Sequence, residues 1–384
     1  MNTKHLSWLS ILALSLSLGS ISAQDASAEA DSNKTKKATK ELPLEPAREF
    51  KQITKEATWL SLDVSPDGKE LVFDILGDLY RMPISGGKAE AISQGMPYDV
   101  HPRYSPDGKS LVFISDQSGS DNVWVMDLAS KERRPITEDK NQNYFSADWS
   151  TDGEYIVAAK GRRSIKLHLY HQKRGSGAQL IEKPAALKCI DPVFSADGKA
   201  IYFSKRKGAW DYNAQLPQYQ VGIYDMEEGE VKSFTSRYGS AFTPTPSPDC
   251  KWLVYGSRYE DETGLILHNL KNGDEKWLAY PVQRDEQESI APLGVLPGMS
   301  FDPSSENLYA SYGGKIYRIN LASGQASEIP FEAEINLELG PQLDFKFPIK
   351  DDEAVFANQI RDAKPSPNGE YLVFTALNRL YTYN

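Results

Sequence analysis

The sequence predicts an all-β protein: a seven-bladed β-propeller of four-stranded antiparallel blades, closed by an N-terminal strand. Three observations carry this prediction. A nine-residue motif recurs along the chain. The segments that follow it are apolar on consecutive residues. A strand-like segment ahead of the first repeat matches one that is missing after the last.

The motif is "SPDGKELVF" at residues 65–73 and "SPDGKSLVF" at 105–113. Weaker copies begin at Ser150, Ser195, Ser247 and Ser366, and a degenerate one that lacks the glycine begins at Asp302. Proline presets its backbone for a turn, aspartate caps its own backbone, and glycine takes a positive φ without steric cost. A tight turn leading into "LVF" or "IYF" is a hairpin entering a strand. Near copies spaced by about 40–60 residues are a repeat signal.

Aligned on the turn, each unit shows four strands. The first precedes the turn ("SLDV", "HPRY", "SADW", "DPVF") and the second follows it. The third is aromatic and aliphatic ("DLYRMPI", "NVWVMDL", "KIYRINL"), and the fourth closes the unit ("RRPIT", "VKSFT", "EKWLA"). Runs that are apolar on consecutive residues are buried on both faces. Four-stranded sheets covered on both faces and repeated around a ring are propeller blades.

The seventh unit stops after "RLYTYN", without a fourth strand. The "KQIT" of residues 51–54 resembles the fourth-strand "RRPIT". Phe50 to Thr54 is therefore expected to pair with Leu380 to Tyr383 and to close the ring, removing two exposed edges. A second reading of the end is that the chain continues past Asn384 into further blades or another domain.

Residues 1–23 read as a signal peptide, with Lys4 ahead of an apolar run from Leu6 to Leu18 and small residues after it. Residues 24–47 are polar and charged and read as a disordered tether. Residues 48–384 are the propeller. The expected location is periplasmic or secreted, with no membrane insertion once the signal is cleaved, and a monomer is expected. A net charge of −10 argues against nucleic acid as a partner. The two cysteines, Cys189 and Cys250, fall at non-equivalent places in their repeats and are expected to be unpaired thiols.

The repeat resembles the TolB-like propeller repeat over residues 50–384. The stretch from Thr58 to Met126 and the later "IRDAKPSPNGEYLVFTALNRLY" are similar to the N-terminal propeller of large exported amidohydrolase-related proteins. That resemblance implies an accessory role in binding or gating beside a downstream catalytic domain. The alternative is a stand-alone periplasmic module that binds a protein or peptide; a propeller lyase or a peptidase's accessory domain ranks below both. The amidohydrolase family's His-x-His pair is absent from this sequence, as is the Gly-x-Ser-x-Gly elbow of the similar peptidases.

No catalytic residue, metal site or cofactor is read from the motifs. His168 and His171, three apart on one strand, point to opposite faces and are expected to be packed or edge histidines, not ligands of a shared metal. "DQSGSDN", Asp116 to Asn122, reads as a polar hairpin, and "KRKGAWDYN", Lys205 to Asn213, as a solvated loop. Asp99, His101, Asp191, Arg361 and Asp362 sit at or just before first strands, near the expected channel mouth, and are the candidate ligand-binding residues. Two long connections, residues 280–298 and 331–359, are expected on that same face. The phenylalanines of the second should pack against the mouth or a partner.

Overall fold

The computed structural model describes residues 46–162, 164–208, 216–284, 287, 295–342 and 352–384. The proposed signal peptide, and the tether as far as residue 45, lie outside these. Among the described residues every regular element is a strand, and these strands form seven sheets, one per repeat. Sheets two to six have four strands each, paired antiparallel in chain order. The seventh has three: Arg361–Pro365, Leu372–Ala376 and Arg379–Tyr383.

Each repeat turn is built alike. In the first, Ser65 N donates to Glu70 O at 2.9 Å and Gly68 N to Ser65 O at 2.8 Å. The Ser65 hydroxyl donates to Asp67 Oδ1 and accepts the N–H groups of Lys69 and Glu70. Gly68 holds φ +70°, the left-handed conformation that favours glycine. Cys250 occupies the same place in the fifth repeat at φ +58°.

The "LVF" strand explains the packing. Leu71 and Phe73 enter a cluster shared with Tyr309 and Ile316 of the sixth sheet. Val72, between them, enters a cluster shared with Leu111 and Phe113 of the second. This alternation repeats in every sheet up to the sixth, where Leu308 and Ala310 face the fifth sheet and Tyr309 the first. Each of these sheets is a layer between two neighbours, and six apolar interfaces result.

The last interface joins the sixth sheet to the first. Ser311 Oγ donates to Leu60 O at 2.6 Å, Leu62 N to Gly298 O at 3.0 Å and Ala57 N to Gly314 O at 3.0 Å. No residue of the seventh sheet enters any of the buried clusters formed by the described residues.

Seven blade-type sheets and an N-terminal strand joined to the closure are as expected; the partner of that strand is not. Arg48–Thr54 pairs antiparallel with Phe331–Leu339, from Arg48 opposite Leu339 to Thr54 opposite Ala333. Phe331–Leu339 in turn lies parallel to Gly87–Ala91, the outer strand of the first sheet. The first sheet therefore has six strands, and residues 380–383 pair with 372–375 instead. The reason is burial. Phe331, Ala333 and Ile335 point into the first-sheet core at 3%, 0% and 6% exposure, with Phe331 tilted against the Phe73 ring at 5.6 Å. The expected long loop thus begins as a strand. Phe356 is exposed, and Phe345 and Phe347 lie outside the described residues.

Candidate recognition site at the propeller axis

The first strand of each of the six ring sheets is the innermost, and these strands neighbour one another around the axis. They bring two layers of polar residues together. The upper layer comes from a break in register. The pairing of the first and second strands slips between Val100 and Arg103, between Ile190 and Val193, and between Phe242 and Thr245. His101, Asp191 and Thr243 sit in these bulges at φ +56°, +52° and +52°. Non-glycine residues rarely hold this conformation, and it is kept where surrounding bonds demand it.

Those bonds run between sheets. Asp74 Oδ2 accepts His101 N–H at 2.8 Å, and Asp74 Oδ1 accepts Ser61 N–H at 2.9 Å. The Ser61 hydroxyl lies 3.1 Å from His101 Nδ1 and accepts Gly298 N–H. Two sheets further on, Asp191 Oδ2 accepts from the hydroxyls of Ser204 and Thr243, and Ser204 Oγ accepts Thr243 N–H. A second-strand side chain thus holds the bulge of the next sheet in both places.

The lower layer is the residue two before each turn serine. Asp63 Oδ2 accepts Tyr104 N–H, and Asp148 Oδ2 accepts Phe194 N–H, each one sheet on. In the second sheet the position is Arg103. Its Nη1 donates to Met299 O at 2.8 Å and Leu62 O at 3.2 Å, and lies 3.5 Å from Asp63. Its charge reaches Asp74, Asp148, Asp191 and His101.

Burial dominates the titration of these groups. It pushes the Asp74 carboxyl up to about 7 against the N–H groups of His101 and Ser61. It pushes Asp148 and Asp191 up to about 6, with Arg103 pulling both the other way. Burial, helped by Arg103, takes His101 down to about 4. At neutral pH the axis therefore holds a neutral imidazole, one guanidinium and an excess of carboxylate. Such a site can orient and bind a charged group.

Of the five candidates from sequence, the structure brings His101 and Asp191 to this axis. Asp99 is buried and committed elsewhere: Arg133 donates to it at 2.7 Å, and that guanidinium lies over the rings of Phe113 and Trp124. Arg361 and Asp362 are exposed on the seventh sheet. Asp362, at φ +54° beside a register slip, is the bulge equivalent of His101 and Asp191, which is why the pattern selected it. Sequence reasoning missed Ser61, Asp63, Asp74, Arg103 and Asp148. The signal for three of them was a charged residue two places before the turn serine, in strands that are otherwise largely apolar.

His168 and His171 have separate surroundings: the first stacks on Tyr170, the second pairs with Glu154 and meets Tyr155. Among the described residues no group of three or more His, Cys, Asp or Glu is placed to hold a metal. Cys189 is buried, Cys250 exposed, and the two are not bonded.

Residues 50–186 match the family model described as the TolB beta propeller domain. The "Uncharacterized peptidase YuxL" of Bacillus subtilis is 29% identical over 173 residues, 43% of this chain and 22% of that protein. The Tol-Pal system protein TolB of Francisella tularensis is 25% identical over 200 residues, 50% of this chain and 43% of that one. The chain thus spans less than half the length of either relative. The crystal structure of TolB from Acinetobacter baumannii superposes with a TM-score of 0.54 at 16% identity, covering 72% of this chain and 65% of that one. The chain folds as a β-propeller and is similar to the TolB propeller domain over the matched residues.

Proposed function

We propose that this chain is an exported, non-catalytic recognition module whose axial site binds a protein or peptide. The observation that carries the proposal is the axial cluster: Arg103 is outnumbered by Asp63, Asp74, Asp148 and Asp191, with His101 held neutral beside them. A partner that inserts a basic side chain would meet complementary charge in a partly desolvated setting. Of the sequence candidates, His101 and Asp191 belong to this site. Asp99 supports it through the second sheet, and Arg361 and Asp362 would serve only a partner that also engages the seventh sheet. A periplasmic or secreted location is consistent with the leader of residues 1–23 and with the TolB similarity.

The test places a photo-crosslinking residue at Val193, on the axis, and another at Lys109, on a repeat turn, in the exported protein. Specific adducts are expected from position 193 and are lost in Asp148→Asn/Asp191→Asn. Adducts from position 109 alone, or adducts from 193 that the double variant leaves unchanged, overturn the reading.

A second reading is favoured by the match to the peptidase, of which the matched stretch makes up 22%. Here the chain is the binding or gating part of a larger hydrolase, an amidohydrolase-like one by the sequence resemblance. Both readings place the chemistry outside residues 48–384. Purified protein of that span should hydrolyse neither amides nor esters, with or without zinc. Turnover that persists through repurification and vanishes on a point change within the span would show that a catalytic group lies in the propeller.

A further inference from the structure

A cleft of about 1220 Å³ lies between the third and fourth sheets, away from the axis. We propose that it binds an acidic, partly apolar peptide segment of a partner protein. Its lining carries four cations, Lys183, Lys205, Arg206 and Lys207, against the carboxylates of Glu182 and Glu230. Among the described lining residues positive charge is in excess, on a chain whose net charge is −10.

The site is built. Lys166 is buried, and its ammonium donates to Pro184 O at 2.8 Å and Leu187 O at 2.7 Å, pinning one wall to the third sheet. Arg206 is buried on the opposite wall, with its guanidinium over the Tyr219 ring at 5.2 Å. Lys205 donates to the Ser233 hydroxyl. Among the described residues no carboxylate lies within ion-pair distance of Lys183, Lys205 or Lys207. Burial lowers the Lys205 ammonium's pKa, and the neighbouring Lys207 charge lowers it further. An anion in the cleft relieves that repulsion.

The rest of the lining chooses the class of anion. Leu180, Ile181, Pro184, Leu187, Pro217 and Val231 give the cleft an apolar wall beside its cations. Its volume exceeds the ~300–1,000 Å³ typical of a small-molecule pocket. A chain segment that alternates carboxylate and aliphatic side chains satisfies both the charge and the space. This site is independent of the axial one, and it calls for the opposite charge in its ligand.

The test uses the whole chain and a labelled twelve-residue peptide of alternating Glu and Leu, read by fluorescence anisotropy. Saturable binding that weakens with salt is expected. Lys183→Glu/Lys207→Glu, both at exposed positions, should weaken it about tenfold or more. Lys109→Glu/Lys199→Glu, with the same change of net charge on the repeat turns, should change it by less than about twofold. Absence of saturable binding, equal loss in the two pairs, or equal binding of a Lys and Leu peptide each overturns the proposal. So does capture by anionic lipid vesicles without peptide binding, which would assign the cations to a membrane surface.

Discussion

The first and seventh sheets carry nearly the same motif, "SPDGKELVF" and "SPNGEYLVF", and fold its turn in the same way. Ser65 N donates to Glu70 O and Gly68 N to Ser65 O; Ser366 N donates to Tyr371 O and Gly369 N to Ser366 O. Their surroundings differ. Leu71, Val72 and Phe73 are each 0% exposed, whereas Leu372 is 37% exposed and Val373 and Phe374 are half-buried. The motif specifies a hairpin, a local matter of backbone and capping. Burial requires a neighbour on each face, and only the first six sheets have both among the described residues.

The largest expected effect separates the two sheets at the same motif position. Phe73→Ala removes a ring that touches Tyr80 and Phe331 in a closed core, and should cost about 3–5 kcal/mol in denaturant unfolding. Phe374→Ala removes a half-buried ring that stacks on Tyr381, and should cost about 1 kcal/mol or less. Equal losses would mean that the seventh sheet is covered as the others are.

Next comes the axial network. Asp74→Asn leaves one carbonyl oxygen where two carboxylate oxygens each accept a buried N–H. One of the donors, Ser61 or His101, then faces an amide nitrogen, at a cost of about 1–3 kcal/mol. An unchanged unfolding midpoint would mean that these bonds do not hold the bulge.

The pH dependence follows from two sets of acids displaced in opposite directions. Asp74, Asp148 and Asp191 have raised values in the fold, so the folded state holds their protons more tightly than the unfolded chain. Stability from these groups is complete below their unfolded value near 4 and declines as pH rises through about 6–7. The turn carboxylates are displaced downward. For Asp67 the main causes are the Ser65 hydroxyl and then Lys69, which take it to about 2. The contribution of these turn groups is present above about 4 and is lost as pH falls toward 2. The melting temperature should therefore peak near pH 4 and fall as pH rises to about 7, with the lowered His101 value offsetting part of that fall. Asp148→Asn/Asp191→Asn should flatten the alkaline side. A midpoint that rises steadily to pH 8 would contradict the buried-acid account.

The blades were legible because each repeat states its turn and its doubly apolar strand within nine residues. The closing strand was not, although its signal was present. "FEAEINLEL", Phe331–Leu339, alternates apolar and polar with period two, as a half-buried strand does. The similarity of "KQIT" to other fourth strands drew Arg48–Thr54 toward the seventh repeat, yet pairing is decided by which edge offers a core to cover. Of the axial site, the bulge residues His101 and Asp191 were legible as polar positions in inner strands. Asp74 was not, because it lies in a second strand and reaches the axis only when the next sheet is in place. Arg361 and Asp362 share the local pattern, and among the described residues their sheet enters none of the buried clusters that surround His101 and Asp191.

The smallest effect sharpens the comparison within the turn itself. Ser65 is 6% exposed, and its hydroxyl accepts two N–H groups, those of Lys69 and Glu70. The Ser366 hydroxyl likewise donates to Asn368 Oδ1 and accepts one N–H, that of Tyr371, with more access to solvent. Alanine at either position deletes the same acceptor from the same hairpin. At position 65 the stranded donors are shielded by the ring, and the cost should be about 1–2 kcal/mol; at position 366 water can replace the hydroxyl, and the cost should be below about 0.5 kcal/mol. Hydrogen exchange reads the difference directly, as faster exchange at residues 69 and 70 in Ser65→Ala and little change at 371 in Ser366→Ala. If both hairpins loosen equally, the serine's worth is set within the turn and not by the sheets packed around it.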